Sequence, residues 1–164
     1  MELKPARPKD LDNVWRLYSL ATDHLVKTGI DQWDALYPDV SMIREDIKSG
    51  CLYLLSDGGM LLSAVVLNDH QEAPYGLVEW KYTGGRILTV HRLCVSPSRQ
   101  GQGIGKRTMQ LAEGLARQKG FTGLRLDAFY NNPAANALYE TLGYIKAGSV
   151  TIRKGLFHCY EKQL

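Results

Sequence analysis

Apolar and polar residues along the chain recur with two different periods, and the changes of period divide it into elements. Leu3 to Ala6 reads as a short strand. Pro8, Lys9 and Asp10 supply a helix start, and Leu11, Val14, Trp15, Tyr18 and Ala21 or Thr22 follow at helical spacing, predicting a helix that lays this face on a sheet. A second helix is predicted over Ser41 to Lys48 and stops at Gly50. Cys51 to Ser56 and Met60 to Asn68 flank Asp57-Gly58-Gly59 and read as a hairpin. A long segment, Asp69 to Gly85, then leads into the longest β-rich run, Arg86 to Val95; a segment of that length is usually functional or mobile. Ile104, Thr108, Leu111 and Leu115 return to helical spacing, and Leu124 to Ala128 reads as a buried strand. Asn132-Pro133 is a helix start, with a capping asparagine before a proline in the first turn. Ala135, Leu138, Tyr139 and Leu142 form that helix's apolar face, Gly143 ends it, and Tyr144 to Val150 and Leu156 to Lys162 close the chain as antiparallel strands. The order β, α, α, three strands, α, β, α, β, β predicts an α/β (α+β) chain with a mixed sheet and helices on both faces.

Composition narrows this picture only slightly. The 164 residues fit one domain over residues 1–164, without repeat or linker. With 45% hydrophobic and 23% charged residues, the chain is neither disordered nor fibrous. The net charge of +3 is spread along the chain without an aromatic-basic repeat, so no nucleic-acid partner is expected. Cys51, Cys94 and Cys159 are odd in number and far apart, which fits neither a disulfide framework nor a metal site, and no metal is expected. No window approaches a membrane span and the amino terminus lacks an apolar leader core. These features predict a soluble cytoplasmic protein with reduced thiols and no membrane partner, acting as a monomer or homodimer.

Candidate chemistry is concentrated in Leu93 to Lys106, LCVSPSRQGQGIGK. Glycines at 101, 103 and 105, between a strand and a helix start, let backbone N–H groups face an anion without intervening Cβ atoms. A Walker loop fails because Gln100 stands where its first glycine belongs and Arg107 where its hydroxyl residue belongs. A dinucleotide fingerprint fails because Gly101-Gln102-Gly103 is followed three residues on by Lys106. What remains is Gln100-x-x-Gly103-x-Gly105, five residues after Val95, and here the sequence resembles the GNAT-type N-acetyltransferase superfamily. A second block agrees: Asn132, Ala135, Tyr139 and Gly143-Tyr144 reproduce the spacing N-x-x-A-x-x-x-Y-x-x-x-G-F/Y of the same superfamily. The alternative is a glycine-rich turn capping an ordinary core helix.

The resemblance implies a GNAT fold, a central mixed but mostly antiparallel sheet of about seven strands whose splayed central strands form a cofactor cleft. It implies acetyl-CoA as co-substrate and direct transfer of the acetyl group, in a ternary complex, to the primary amine of a small molecule, protein or peptide. Gln100, Gly101, Gln102, Gly103, Ile104, Gly105 and Lys106 would hold the pyrophosphate, with Arg99, Lys106 and Arg107 available for phosphate charge. The main chain of Leu93, Cys94 and Val95 would run along the pantetheine arm, and an N–H at Leu93 or Cys94 would suit the thioester oxygen. Tyr139 is the implied general acid at the departing thiol, or else a core tyrosine; Asn132 would lie near the pantetheine arm. His91 resembles a histidine base found in some members, or else a hydrogen-bonded structural histidine. Cys94 and Cys159 suit small buried residues better than an acyl-cysteine mechanism. Asp31, Trp33, Tyr75 and Trp80 could form an aromatic, acidic acceptor pocket, together with Asp34, Glu79 and Tyr82, or be lid packing. A non-catalytic acyl-CoA-binding domain is the alternative function.

Overall fold

The computed structural model describes residues 1–164. The chain folds into two compact units, Met1–Leu67 with Arg92–Ala112, and Asn68–His91 with Glu113–Leu164. Seven strands in the order β1-β2-β3-β4-β5-β7-β6 make a mixed, mostly antiparallel sheet, accompanied by four α-helices. No helix is long and apolar enough to cross a membrane.

In the first unit, β1 (Leu3–Pro5) pairs antiparallel with β2 (Leu52–Asp57), which pairs antiparallel with β3 (Met60–Asn68). Gly58 and Gly59 take φ of +54° and +82° at the hairpin turn, a region open to glycine at no steric cost. A 3-10 turn over Pro8–Asp10 precedes α1 (Leu11–Lys27). Asp10 does not cap the helix with its side chain; its Oδ2 accepts from the Arg7 amide at 2.8 Å. Of the predicted face, Val14, Tyr18 and Ala21 are buried and Leu11 and Trp15 half-buried, and Leu17, outside the predicted set, is buried with them. The second helix, α2 (Val40–Lys48), begins one residue before the expected start because Asp39 Oδ1 accepts from the Met42 amide. The unit's core joins Val14, Tyr18, Trp33, Ile43, Leu52 and Cys94.

In the second unit, the first residues of β4 (Ile87–Val95) run parallel to β5 (Gly123–Phe129) over Ile87, Leu88 and Thr89 only. β5 is antiparallel to β7 (Gly155–Gln163) along its whole length, and β6 (Ile145–Ile152) flanks β7 with a bulge between Lys146 and Gly148. The helix α4 (Pro133–Thr141) is capped as expected, Asn132 Oδ1 accepting from the Ala135 amide at 3.1 Å, and Gly143 takes φ +83° after its end. The remaining helix, α3 (Ile104–Gln118), carries residues of both units.

The 69–85 segment, expected to be functional or mobile, holds only a 3-10 turn at Ala73–Leu77 yet is firmly anchored. Glu161, buried on β7, accepts from the Lys81 amide at 2.6 Å and the Tyr82 amide at 3.2 Å. Arg125, directly opposite Glu161 on β5, donates to the Tyr82 carbonyl and to Gln71 Oε1, and its guanidinium lies 4.3 Å from the Trp80 ring. Charges buried on neighbouring strands are tolerable because each is hydrogen-bonded and the signs oppose. Here they strap a segment that has little secondary structure of its own to the sheet.

Candidate active site

The glycine stretch begins with a 3-10 turn at Pro97–Arg99. Gly101 and Gly103 take φ of +74° and +76°, and nothing lies within 4 Å of where a Cβ on either would stand. The glycines are therefore required by backbone conformation rather than by crowding. The first bond of the following helix runs from the Arg107 amide to the Gly103 carbonyl at 2.9 Å, so the amides of Ile104, Gly105 and Lys106 belong to the unpaired start of α3. Helix-start amides behind open glycines fit a pyrophosphate. Thr108 Oγ1 donates to the Ile104 carbonyl and accepts from Ser63 Oγ at 2.6 Å, tying this first turn to β3. Gln102 Nε2 donates to the Ser98 carbonyl, while Gln100 and Lys106 are exposed. Arg99 points its Nη2 at Met60 Sδ, 3.2 Å away.

One residue before the expected pantetheine-binding main chain, Arg92 takes φ +49°. Non-glycine residues avoid this conformation, and three side chains hold it here. Tyr18, fully buried, donates from Oη to the Arg92 carbonyl at 2.7 Å. Arg92 itself donates from Nη2 to Asp46 Oδ2 at 2.6 Å and from Nη1 to Tyr37 Oη at 3.2 Å. Burial lifts the Asp46 carboxyl above its ordinary range although the guanidinium pulls it down; for Arg92, burial opposes the charge but Tyr37 and Asp46 outweigh it. Cys94 is buried with its thiol raised by desolvation, and Cys159 is buried with a thiol pushed up to about 12, chiefly by desolvation. Both are poor nucleophiles, in line with the structural role expected of them.

The second unit holds both residues expected as base and acid, His91 and Tyr139. Thr89 stands opposite Arg125, and with side chains alternating along each strand, His91 and Asp127 follow on that same face. The β4–β5 ladder ends at Thr89, so His91 and Asp127 lie beyond it, where the two strands no longer pair. His91 Nε2 lies 3.0 Å from Asn68 Oδ1 and 3.1 Å from the His70 carbonyl, and the His70 ring stacks at 6.5 Å. Asp127 Oδ2 accepts from Tyr75 Oη at 2.7 Å. Burial raises the Asp127 carboxyl, the Tyr75 bond opposing and Glu72 adding to the rise. Tyr139 is 6% exposed, between the rings of Tyr144 and Tyr160 at 5.9 Å each. Burial first, then the charges of Asp127 and Tyr160, raise its hydroxyl well above the ordinary phenol value.

The expected acceptor residues fare differently. Tyr75 and Trp80 pack at 5.4 Å beside Asp127, and Trp80 Nε1 donates to the Tyr75 carbonyl. Asp31 is exposed, whereas Trp33, expected at a pocket wall, is 5% exposed and lies in the first unit's core, 5.7 Å from the Tyr18 ring. Its indole extends the apolar face of α1, which accounts for the burial. Asp127 and Asn68 were not singled out by sequence. The strand alternation of LRLDAF placed Asp127 opposite the apolar face, and that was the available signal.

The sequence pattern of the acetyltransferase (GNAT) family matches residues 14–144. The uncharacterized N-acetyltransferase YesJ of Bacillus subtilis is 27% identical over 163 residues, 98% of this chain and 88% of that protein. Thialysine N-epsilon-acetyltransferase of Bos taurus is 34% identical over 89 residues, but this covers 53% of the present chain and only 50% of that protein. Among solved structures, a GNAT-family acetyltransferase from Streptococcus agalactiae superposes with a TM-score of 0.87 at 27% identity, covering 99% of this chain and 95% of that one.

Proposed function

Because the chain belongs to the GNAT family and is an acetyl-CoA-dependent N-acetyltransferase, we propose that it transfers acetyl directly to a primary amine in a ternary complex, with Tyr139 as general acid and His91 as general base. The observation that carries the reading is the grouping of Asp127 with Tyr75 and Tyr139 in the unit that also holds His91, which lies on β4 just past the point where β4 and β5 stop pairing. Acetyl-CoA supplies the activated acyl group. The amides from Gly101 to Lys106 hold its pyrophosphate, aided by the helix dipole, and the main chain of Leu93 to Val95 aligns the thiol arm. His91 takes the proton that the amine must lose before or as it attacks. Tyr139 gives a proton to the departing sulfur; its raised pKa keeps that proton in place at neutral pH. Asp127, with Tyr75 and Trp80 beside it, supplies the negative charge that draws a cationic amine.

A second reading of the base is favoured by one observation. The Asp127 carboxyl is raised by burial and is near enough to act on Tyr139 electrostatically, so it could accept the proton in place of His91. The test is thiol release from acetyl-CoA against a panel of primary amines, including thialysine, lysine, polyamines and peptide amino termini. Turnover with an amine supports the enzyme. Acetyl-CoA binding with no thiol release across the panel would return the chain to the binding-only alternative.

A further inference from the structure

The second unit contains a cavity of about 340 Å³, near the lower end of the size range of small-molecule sites. Ile87 and Arg125 line it from the face of β4 and β5 that also carries His91 and Asp127. Its charged groups are Asp69, Arg86 and Arg125. Arg125 is buried, and its charge is answered by Glu161, directly opposite on β7. Asp69 and Arg86 are exposed; neither has an ion-pair partner in the protein, and they do not pair with each other. The Arg86 guanidinium is nevertheless held in place: Nη1 donates to the Lys119 carbonyl at 2.8 Å, and its central carbon lies 4.3 Å from the centre of the Phe121 ring, which also lines the cavity. That leaves Nε and Nη2, the edge that grips a carboxylate through two parallel bonds, without a protein partner. Gln71, whose Oε1 accepts from Arg125, has its amide nitrogen left to donate.

A wall with one unpaired cation and one unpaired anion is complementary to a ligand that carries both charges. A simple carboxylate would meet Asp69 unfavourably, and a simple amine would meet Arg86. We infer that the cavity is a binding site for a free α-amino acid, with its carboxylate on Arg86 and Gln71 and its ammonium on Asp69. For the transfer the consequence rests on the acetyltransferase reading above. Arg125 stands two residues before Asp127 on β5, a step of about 6–7 Å along one face. A stem of about four carbons, as in lysine, matches that step, so a diamino acid held by its head presents its side-chain amine to Asp127. That amine is the acceptor: its nitrogen forms the amide bond to the acetyl carbon, the thioester C–S bond breaks, the nitrogen's proton passes to the base, and the sulfur takes a proton and leaves as the thiol.

Calorimetry tests the site without turnover. Norleucine, which has the amino-acid head and an apolar side chain, should bind the protein alone, whereas pentylamine and hexanoate, each with a single charge, should bind about tenfold more weakly or worse. Norleucine binding should weaken about tenfold in Arg86→Gln and in Asp69→Asn. The Asp69 carboxylate makes no hydrogen bond within the protein, so the second variant keeps the fold should the first disturb it. Norleucine that fails to bind, or that binds both variants as it binds the wild type, overturns the inference. In thiol release, kcat/KM for lysine should exceed that for cadaverine, which lacks the carboxylate, by about tenfold or more, and Arg86→Gln should abolish the preference. Equal kcat/KM for the two amines, or a preference that survives Arg86→Gln, overturns the acceptor half while norleucine binding still decides the site. Norleucine bound through Arg86 with no thiol release from any amine would instead overturn the catalytic reading and leave the amino-acid site standing.

Discussion

The Tyr18 hydroxyl donates to the Arg92 carbonyl at 2.7 Å, joining the buried face of α1 to the one non-glycine residue with positive φ. A residue in that conformation costs on the order of 1–2 kcal/mol. The Tyr18 bond and the Asp46 and Tyr37 contacts hold it, and Leu93 and Cys94, whose amides we propose to face the thioester, follow directly in the chain. Tyr18→Phe keeps the ring packed on Trp33 but leaves the carbonyl without its donor. We expect about 1–2 kcal/mol less stability by denaturant unfolding, together with a raised KM for acetyl-CoA. An unaltered KM would show that the Arg92 conformation serves the fold alone.

Tyr139→Phe separates the acid from the packing. Its ring contacts with Tyr144 and Tyr160 survive the change, so stability should alter little while kcat falls by about a hundredfold or more. The raised pKa carries a further expectation. Burial and the neighbouring Asp127 and Tyr160 keep the phenol protonated well past its ordinary range, so a pH–rate profile should show no alkaline fall from this residue up to about pH 9.

Much of this was legible in the sequence, and the reasons differ by element. Periodicity located the strands and most helix ends to within a residue or two, because α1 buries one face and β5 alternates apolar with charged residues in sequence. The spacing read for α1, however, stopped at Ala21 or Thr22, while the helix runs on to Lys27. The Asn132 cap and the Gly103 turn were readable since each depends on local chemistry, a side-chain acceptor in one case and a positive φ in the other. Trp33 was not readable: an aromatic in an irregular segment looks the same whether it lines a pocket or fills a core. Asp127 and Asn68 acquire meaning only through partners far along the chain or across a turn, Tyr75 for the first, His70 and His91 for the second. The same holds for the Glu161–Arg125 strap, since nothing local to 69–85 marks it as anchored.

Asp127→Asn tests charge and stability together. Because burial lifts the carboxyl above its unfolded-chain value, the fold binds this proton more tightly than the unfolded chain does. Its contribution is greatest at acid pH and is lost as pH rises through the folded-state value. Asparagine still accepts from Tyr75 and carries no charge to desolvate. We therefore expect Asp127→Asn to melt at a higher temperature than the wild type at pH 7, with the gap closing towards pH 4. Its kcat/KM for a cationic amine should fall by about tenfold or more while KM for acetyl-CoA holds. If the kcat loss instead exceeds that of His91→Gln and flattens the pH–rate profile, Asp127 is the base.

The glycines of α3 and its loop give opposite expectations for one substitution. At Gly103, φ +76° makes alanine strained although space is open, at a cost on the order of 1–2 kcal/mol. Relief of that strain turns the Gly103 and Ile104 amides, so acetyl-CoA binding measured by calorimetry should weaken about tenfold in Gly103→Ala, the equivalent of ~1.4 kcal/mol. At Gly114, inside the same helix, the backbone is ordinary and nothing lies within 4 Å of the added methyl. Gly114→Ala should stabilise by about 0.5–1 kcal/mol, because the residue there is a helix-interior glycine and nothing more. Its acetyl-CoA affinity should match the wild type. Equal weakening at both positions would mean that the loop acts through helix stability, and the pyrophosphate role of the Gly101 to Lys106 amides would fall.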